Sequence, residues 1–514
     1  MTNDTINSIG STWLSQDELA RVRELSGKRM LYVGQHKHYF VQQDRTQHDF
    51  PPTGPRIGLG AKVLYIAENL PGRCSLKFAD LLFGEELAVE PAGSANGNAD
   101  AAAAIARFRD ASSLDPLLYE SAATASWAGK AHVQLLVRAG QVVAENVQPE
   151  NIFPIYAPGT DRLVSATIKF QVELKGQSYV RVIEHTIGKI THRLDVLDST
   201  GKISASGVGA GNLDLIEPGL AENPVQETRI NELTVVELEN FTTGGRGISD
   251  YEGNDSLIDE VNNRRSQISR VLDVHGDPAV MVLAGLFDKD GNFQMKGRSI
   301  VVEDTTKGDA VKYVTWEARL EEAAKALVDA TNAYCGQMEI APALLGLGGG
   351  TSADSWKKFK LQVSQTLARV KRKRTFISSG IKTIFRVAML LENAWTPRSY
   401  AVVPVNLTFS DGLPTDDSEL ATTIEGLYGA GLMSREMALT WLHGDKSIVA
   451  VEMERLAGED EAKLPTAFRG GAAGLADDPT DDAGDEPASD QPSGRDMEIA
   501  PSGDPTPAAP NAPG

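Results

Sequence analysis

The chain has 514 residues, 41% of them hydrophobic, enough to build a sizeable core in two to four domains. Its net charge is −20, and the stretch from Glu459 to Gly514, with 13 acidic and 3 basic residues, carries half of that excess. A mildly acidic body argues against a protein that grips DNA through many Lys/Arg–phosphate contacts, though not against one through which DNA slides. The two cysteines, Cys74 and Cys335, form no CxxC or Cys/His cluster, so neither a disulfide framework nor a zinc site is expected, only two buried free thiols. Residues Met1 to Gly10 are polar and lack the apolar core of a signal peptide. The longest strongly apolar stretch, Pro278 to Phe287, is about half of the ~20 residues that span a bilayer. The expectation is a soluble protein made in a cytoplasm, with no membrane partner.

In chain order, Thr12 to Gln35 has a helical pattern (Trp13, Leu14, Leu19, Val22, Leu25), with Ser15 as N-cap and Gly27 as stop. A Gly/Pro-rich loop follows, with Pro51, Pro52, Gly54, Pro55, Gly58 and Gly60. Ala61 to Leu70 and Ala101 to Gly129 read as helices. His132 to Arg138, Val164 to Leu174, Tyr179 to His185 and Lys189 to Leu197 are rich in β-branched residues and separated by glycine turns, which predicts an antiparallel meander. Ser256 to Val274 returns to helical spacing through Leu257, Val261, Ile268, Val271 and Leu272. A short β-like insert, Pro278 to Thr315, has a predicted hairpin turn at Asp288 to Gly291. A second helix, Trp316 to Gln337, is followed by Gly346-Leu347-Gly348-Gly349-Gly350. A long helix from Ser352 to Leu391 carries Trp356, Val363, Leu367, Val370, Ile377, Ile381, Ile384 and Leu391, with a kink expected at Ser378-Ser379-Gly380. Ser399 to Phe409 reads as a strand, and Thr415 to Leu456 as three short helices, the first ended by Gly429 and Gly431 and the others capped by Ser434 and Asp445. From about Gly470 the composition is too polar to order itself.

This order of elements resembles the portal proteins of tailed double-stranded DNA bacteriophages. Local stretches are similar too: Leu31-Tyr32-Val33-Gly34-Gln35-His36 near the N-terminus, Val147 to Tyr156 in the middle of the strands, Asp259 to Arg270, Phe409 to Asp416, and Ala430 to Ala438. The resemblance implies an α+β portal fold. Its parts would be an N-terminal arm and linker (1–60), an α/β wing (61–255), a first stem helix (256–275), a β clip (276–315) and a second stem helix (316–340). A glycine-rich tunnel loop (341–352), a long kinked helix with its return strand (353–412), a helical crown (413–463) and a disordered acidic tail (464–514) would follow. It further implies a homo-oligomeric, dodecameric ring at one capsid vertex of the virion, assembled in the host cytoplasm. Such a ring passes double-stranded DNA during packaging and ejection. Its partners would be scaffolding and major capsid proteins, the terminase large subunit and then a head-completion adaptor.

The tunnel loop implied to face DNA comprises Gly346, Leu347, Gly348, Gly349, Gly350 and Thr351. Adjacent glycines lack side-chain restraints on φ and ψ, which suits a loop that shifts as DNA passes; a passive connector is the alternative. A P-loop is disfavoured, because Gly350 stands where its lysine belongs and no strand precedes the glycines. Candidate DNA-phosphate contacts are Lys357, Lys358, Lys360, Arg264, Arg265 and Arg270. Arg369 and the consecutive Lys371 to Arg374 cannot all face one groove; solvated faces and inter-subunit ion pairs stand against contacts with DNA. No HExxH, GxSxG or DFG-type set is present among the eight histidines and other candidates, so no active site and no cofactor are expected. Pairs such as Glu321-Glu322 and Asp416-Asp417 read as solvated helix ends. Another phage head or connector protein, or a nucleotide hydrolase, are the alternatives.

Overall fold

The structure is a computed structural model. It describes residues 13–42, 65–93, 98–207, 210–243, 245–276, 279–283, 299–302, 311–314, 320–347, 356–410, 412, 417–443 and 446–463. The chain divides into two compact units, one up to residue 416 and one from residue 417.

The first unit starts with α1 (Gln16–Tyr32), where Ser15 and Glu18 exchange side-chain and backbone hydrogen bonds in a capping box. The helix does not stop at Gly27. A Cβ there would meet the Tyr39 ring at 3.0 Å, so the glycine makes room for α2 (His36–Gln42), and Gly34, at φ +81°, makes the turn. The expected helix 61–70 also differs. Residues 61–64 lie outside the described residues, and 65–69 are not helical because their backbone bonds elsewhere: Ile66 N–H to Ser266 Oγ (2.9 Å) and Glu68 N–H to Asn262 Oδ1 (2.8 Å). The helix, α3 (Leu70–Phe83), starts where that expectation ended, with Asn69 as its cap.

After β1 (Ala88–Pro91), the expected single helix 101–129 is two: α4 (Asn98–Ser112) and α5 (Leu114–Ala128). They break at Ser113, φ +46°, because Pro116 has no N–H to bond the Ser112 carbonyl and its ring would clash with that carbonyl in a continuous helix. The strands then form two sheets in place of one meander. β2 (Lys130–Arg138), β3 (Gln141–Val147) and β10 (Val235–Glu239) lie in the order β10-β2-β3. β4 (Ile152–Tyr156), β5 (Leu163–Leu174), β6 (Gln177–Thr186), β7 (Lys189–Leu197) and β8 (Ile203–Ala205) are antiparallel neighbours in sequence order, with β9 (Val225–Glu227) pairing with β7. Ala139-Gly140 and Lys175-Gly176, all at positive φ, close two-residue hairpin loops. The first sheet separates two cores by its period of two. Val133, Leu135, Val236 and Leu238 face the main core, whereas Leu136 and Val235 join Ile152, Ile168, Ile183 and Ile190 of the second sheet.

A ribbon of β11 (Phe241–Thr243) and β12 (Arg246–Ile248) leads to α6 (Asp255–Gly276), which packs on α7 (Leu320–Gln337). Between them β13 (Ala279–Leu283), β14 (Ser299–Val302) and β15 (Val311–Val314) form a sheet in the order β14-β13-β15. The expected turn at 288–291 lies outside the described residues, and β13 pairs with β14 in parallel, which a direct hairpin between these two strands cannot produce. α8 (Trp356–Trp395) buries Val363, Val370, Ile377, Ile381, Ile384 and Leu391 as the periodicity predicts. It continues as helix through Ser378-Ser379-Gly380. A Cβ on Gly380 would stand 2.4 Å from the Glu237 carbonyl, so this glycine serves a close approach to β10. The return strand β16 (Val405–Thr408) is shorter than expected and pairs antiparallel with β1.

The second unit contains α9 (Asp417–Gly429), α10 (Arg435–His443) and α11 (Lys446–Lys463). Gly431 turns at φ +69°, and Ser434 Oγ accepts from Met437 N–H at the start of α10. Asp445 and the tail from 464 lie outside the described residues. Val449 is the buried apolar residue of this unit among those described; Leu432 is 78% and Val451 66% exposed, with Met437, Trp441 and Leu442 also exposed.

Candidate functional site

The residues for which the sequence suggests a DNA channel lie on α6, on the segment that follows α7, and on α8. After α7 the chain passes Glu339, at φ +49°, and a 3-10 turn (Pro342–Leu345), then reaches Gly346 at φ +70° and Leu347. Gly348, Gly349, Gly350 and Thr351 lie outside the described residues, as do the side chains of Lys357 and Lys358. Lys360 is exposed. Arg264 pairs with Glu260 one turn away (2.7 Å), and Arg265 with Glu68 (3.6 Å). Arg270 is half-buried, without an ion-pair partner among the described residues.

The basic run on α8 divides sharply. Lys371 is exposed, and Arg372 pairs with Glu339. Arg374 donates to the carbonyls of Leu81 (3.0 Å) and Ser410. Arg369 and Lys373 turn inward and are buried, which removes them as DNA contacts. Asp250 explains why: its Oδ1 accepts from Arg369 (2.7 Å) and Asn240 Nδ2 (3.0 Å), its Oδ2 from Lys373 (2.6 Å) and Ser126 Oγ (2.5 Å). Ser126 Oγ continues to Ser75 Oγ (2.8 Å), and Ser75 to the Tyr251 hydroxyl (2.7 Å). Both cations lie over the rings of Phe78 and Phe241 at 4.6 to 5.4 Å. Burial alone would raise the Asp250 carboxyl, but Lys373 and Arg369 hold it down at about 2. Burial draws the Lys373 ammonium down to about 8, against the pull of Asp250. Asp250 itself carries no sequence signal. Lys373 does, because it falls three residues after Val370 and four before Ile377, on the buried stripe of its helix.

Two of the stretches that carry the family resemblance are joints. In Tyr32-Val33-Gly34-Gln35-His36, Tyr32 stacks on Trp127, and its carbonyl accepts from Asn69 Nδ2 (3.0 Å). The buried His36 is held at both nitrogens. Asn262 Oδ1 already accepts from Glu68 N–H, so Asn262 Nδ2 donates to His36 Nδ1 (2.9 Å), and His36 Nε2–H donates to the Leu31 carbonyl (3.0 Å). Burial depresses this imidazole, and both bonds suit its neutral form. The arm is thereby pinned to α6. In the stretch 147–156, the carbonyls of Pro149 and Ile152 accept from Arg21 of α1 (3.1 and 2.5 Å), Glu150 pairs with Arg29, and Lys169 and Arg21 lie over the Phe153 ring. Tyr156 donates to Glu237 (2.6 Å), which also pairs with Lys130 (3.0 Å) and His132 (3.2 Å). Burial would raise Glu237, but His132, Lys130 and Tyr156 hold it at about 2. These contacts dock α1 on the sheets.

A family model described as phage portal protein, SPP1 Gp6-like, matches residues 79–465. The chain belongs to this portal family. The portal match takes in the sheets, the α6–α7 pair with its small sheet, α8 and the second unit. No curated protein matches the chain. Among solved structures, the portal chain is similar to one in the virion of a native gene transfer agent (GTA) particle, at 10% identity and TM-score 0.39, over 86% of this chain and 99% of that one. It is also similar to one in the neck of an empty GTA particle computed with C6 symmetry, at 11% identity and TM-score 0.41, over 73% and 90%. A third likeness is to the neck of a native GTA particle computed with C12 symmetry, at 10% identity and TM-score 0.37, over 73% and 89%. Among the described residues of this portal protein, no helix is long and apolar enough to cross a membrane, and no group of three His, Cys, Asp or Glu is placed to hold a metal. Cys74 and Cys335 are buried free thiols, as expected.

Proposed function

We propose that twelve copies of the chain form a ring at one capsid vertex of a virion, and that double-stranded DNA is packaged and ejected through its central channel. The portal-family match across residues 79–465 carries this reading. In it, α6 and α7 form the stem, and the sheet β13–β15 is the clip that meets the terminase large subunit and later a head-completion adaptor. The second unit is the crown, and scaffolding and major capsid proteins surround the ring during assembly in the host cytoplasm. ATP hydrolysis belongs to the motor, and the ring has a structural role. The exposed apolar residues of α10 and α11 favour association between copies, since such patches mark interfaces. A head-to-tail contact that repeats by rotation closes into a ring. Residues 346–351 would face the DNA, with Lys357, Lys358, Lys360, Arg264, Arg265 and Arg270 as candidate phosphate contacts. The pairing of Arg264 with Glu260 and of Arg265 with Glu68 favours weak, sequence-independent contact, as sliding requires.

Native mass spectrometry and negative-stain imaging test the ring. The expected particle is near twelve times 55.2 kDa with a central channel, and a monomer at micromolar concentration across salt conditions refutes it. A defined packaging assay tests the channel segment: the double variant Gly348→Ala/Gly349→Ala should form rings yet package or retain less DNA. Wild-type packaging and retention by that variant would leave 346–351 a passive connector.

A further inference from the structure

Two cations and one carboxylate lie deep in the first unit, where apolar side chains of similar volume often serve stability equally well. Their placement gives them a different role. Asp250 stands just ahead of α6, and its carbonyl accepts from Asn254 Nδ2 (2.8 Å), whose own carbonyl caps the first turn through Leu257 and Ile258 N–H. Glu339 stands just after α7. Arg369 reaches both, with NH2 on Asp250 (2.7 Å) and NH1 on Glu339 (3.3 Å). On the same helix, Thr366 Oγ1 accepts from Ala341 N–H (2.8 Å), Arg372 pairs with Glu339, and Lys373 holds the second oxygen of Asp250 (2.6 Å). A short face of α8 therefore grips the start of one helix and the end of the other. The grip is directional: all four acceptor positions of Asp250 are filled, and the cations sit over the Phe78 and Phe241 rings.

We infer that Asp250, Arg369, Lys373 and Glu339 form a clamp that makes the feet of α6 and α7 and the N-terminal half of α8 one mechanical body. A displacement of the α6–α7 pair is then carried to the N-terminal half of α8 and is not absorbed at the joint. Ionic hydrogen bonds have a directional geometry that resists sliding of one helix past the other. The consequence for DNA rests on the reading of 346–351 as the channel segment.

The neutral set Asp250→Asn/Arg369→Met/Lys373→Met leaves no uncompensated buried charge and tests the clamp. Its rings should assemble but package DNA about tenfold more slowly, within the range expected when a coupling path is cut. Assembled rings that package at the wild-type rate overturn the inference. Arg369→Lys keeps the charge balance and removes the fork that spans Asp250 and Glu339. It decides by the same readout if the neutral set does not assemble. Hydrogen exchange under graded denaturant reads the clamp independently of packaging. In the wild-type protein, amides of 255–262 and 366–376 should open together, and in the variants separately. Independent opening in the wild-type protein overturns the clamp. Joint opening in a wild-type protein that forms no rings supports the clamp and refutes the channel reading.

Discussion

The Asp250 side chain has no exposed surface and accepts four hydrogen bonds, two from cations. Replacing it with asparagine leaves Arg369 and Lys373 buried against a neutral amide. Breaking such a pair from one side costs about 3–5 kcal/mol, which thermal unfolding of Asp250→Asn should register as a large drop in Tm. The acid behaviour has two windows. His185 and His192, on β6 and β7, are pushed down by burial to about 3 and about 4, with Arg181 beside His192 adding to the effect. The unfolded chain protonates these imidazoles near pH 6.5, so it binds protons that the folded chain refuses. The stability they contribute is intact above pH 6.5 and is lost as the pH falls toward 4 and then 3. Asp250, depressed to about 2 by its cations despite burial, contributes stability that is full above about pH 4 and is lost as pH falls toward 2. Circular-dichroism melts from pH 8 to pH 4 should show a declining Tm below 6.5, and a shallower decline in His192→Gln.

At the scale of single elements, three glycines separate packing from conformation. Gly380→Ala puts a Cβ 2.4 Å from the Glu237 carbonyl, and pushing α8 off β10 should cost about 1–3 kcal/mol. Gly346 has open space around it but φ +70°, so Gly346→Ala should cost about 1 kcal/mol through backbone strain alone. Gly336 lies inside α7 with nothing within reach of a Cβ and no positive φ, so Gly336→Ala should stabilise by roughly 0.5–1 kcal/mol. The order of the three melting temperatures checks all of these together. Equal effects at Gly380 and Gly346 would mean that α8 moves away from the sheet freely.

At the scale of the whole molecule, the second unit leaves Leu432, Val451, Leu442, Met437 and Trp441 exposed, more apolar surface than three short helices can cover for themselves. Leu432→Ser/Trp441→Ser should shift the particles from rings to smaller species in native mass spectrometry, with the helical circular-dichroism signal retained. Removing Gly470 to Gly514 should do neither, because its composition adds no core. Loss of folded protein on that truncation, seen by circular dichroism and gel filtration, would show that the tail has a structural role. Its charge should matter for solubility, and truncated rings should associate more readily at low salt.

The sequence by itself determined the elements whose periodicity is set locally. The stripe Val363, Val370, Ile377, Ile384 and Leu391 specifies α8, Ser15 and Glu18 specify the start of α1, and Ala139-Gly140 and Lys175-Gly176 specify their hairpins. The reading of one helix over 101–129 passed over Pro116, which marks the break at Ser113. Motif order pointed to the portal family, and the family match bears that out. The tertiary structure alone decided which polar residues went inside. Residues 65–69 stay out of the helix because Asn262 and Ser266, some 200 positions away, capture their backbone. The glycine at 380 faces a carbonyl that no local pattern announces. Lys373 falls on the buried stripe of its helix, but the partner that draws it and Arg369 into the core, Asp250, stands more than 100 residues earlier. A charge is buried only where a partner of opposite sign meets it in space, and the distance along the chain says nothing of that meeting.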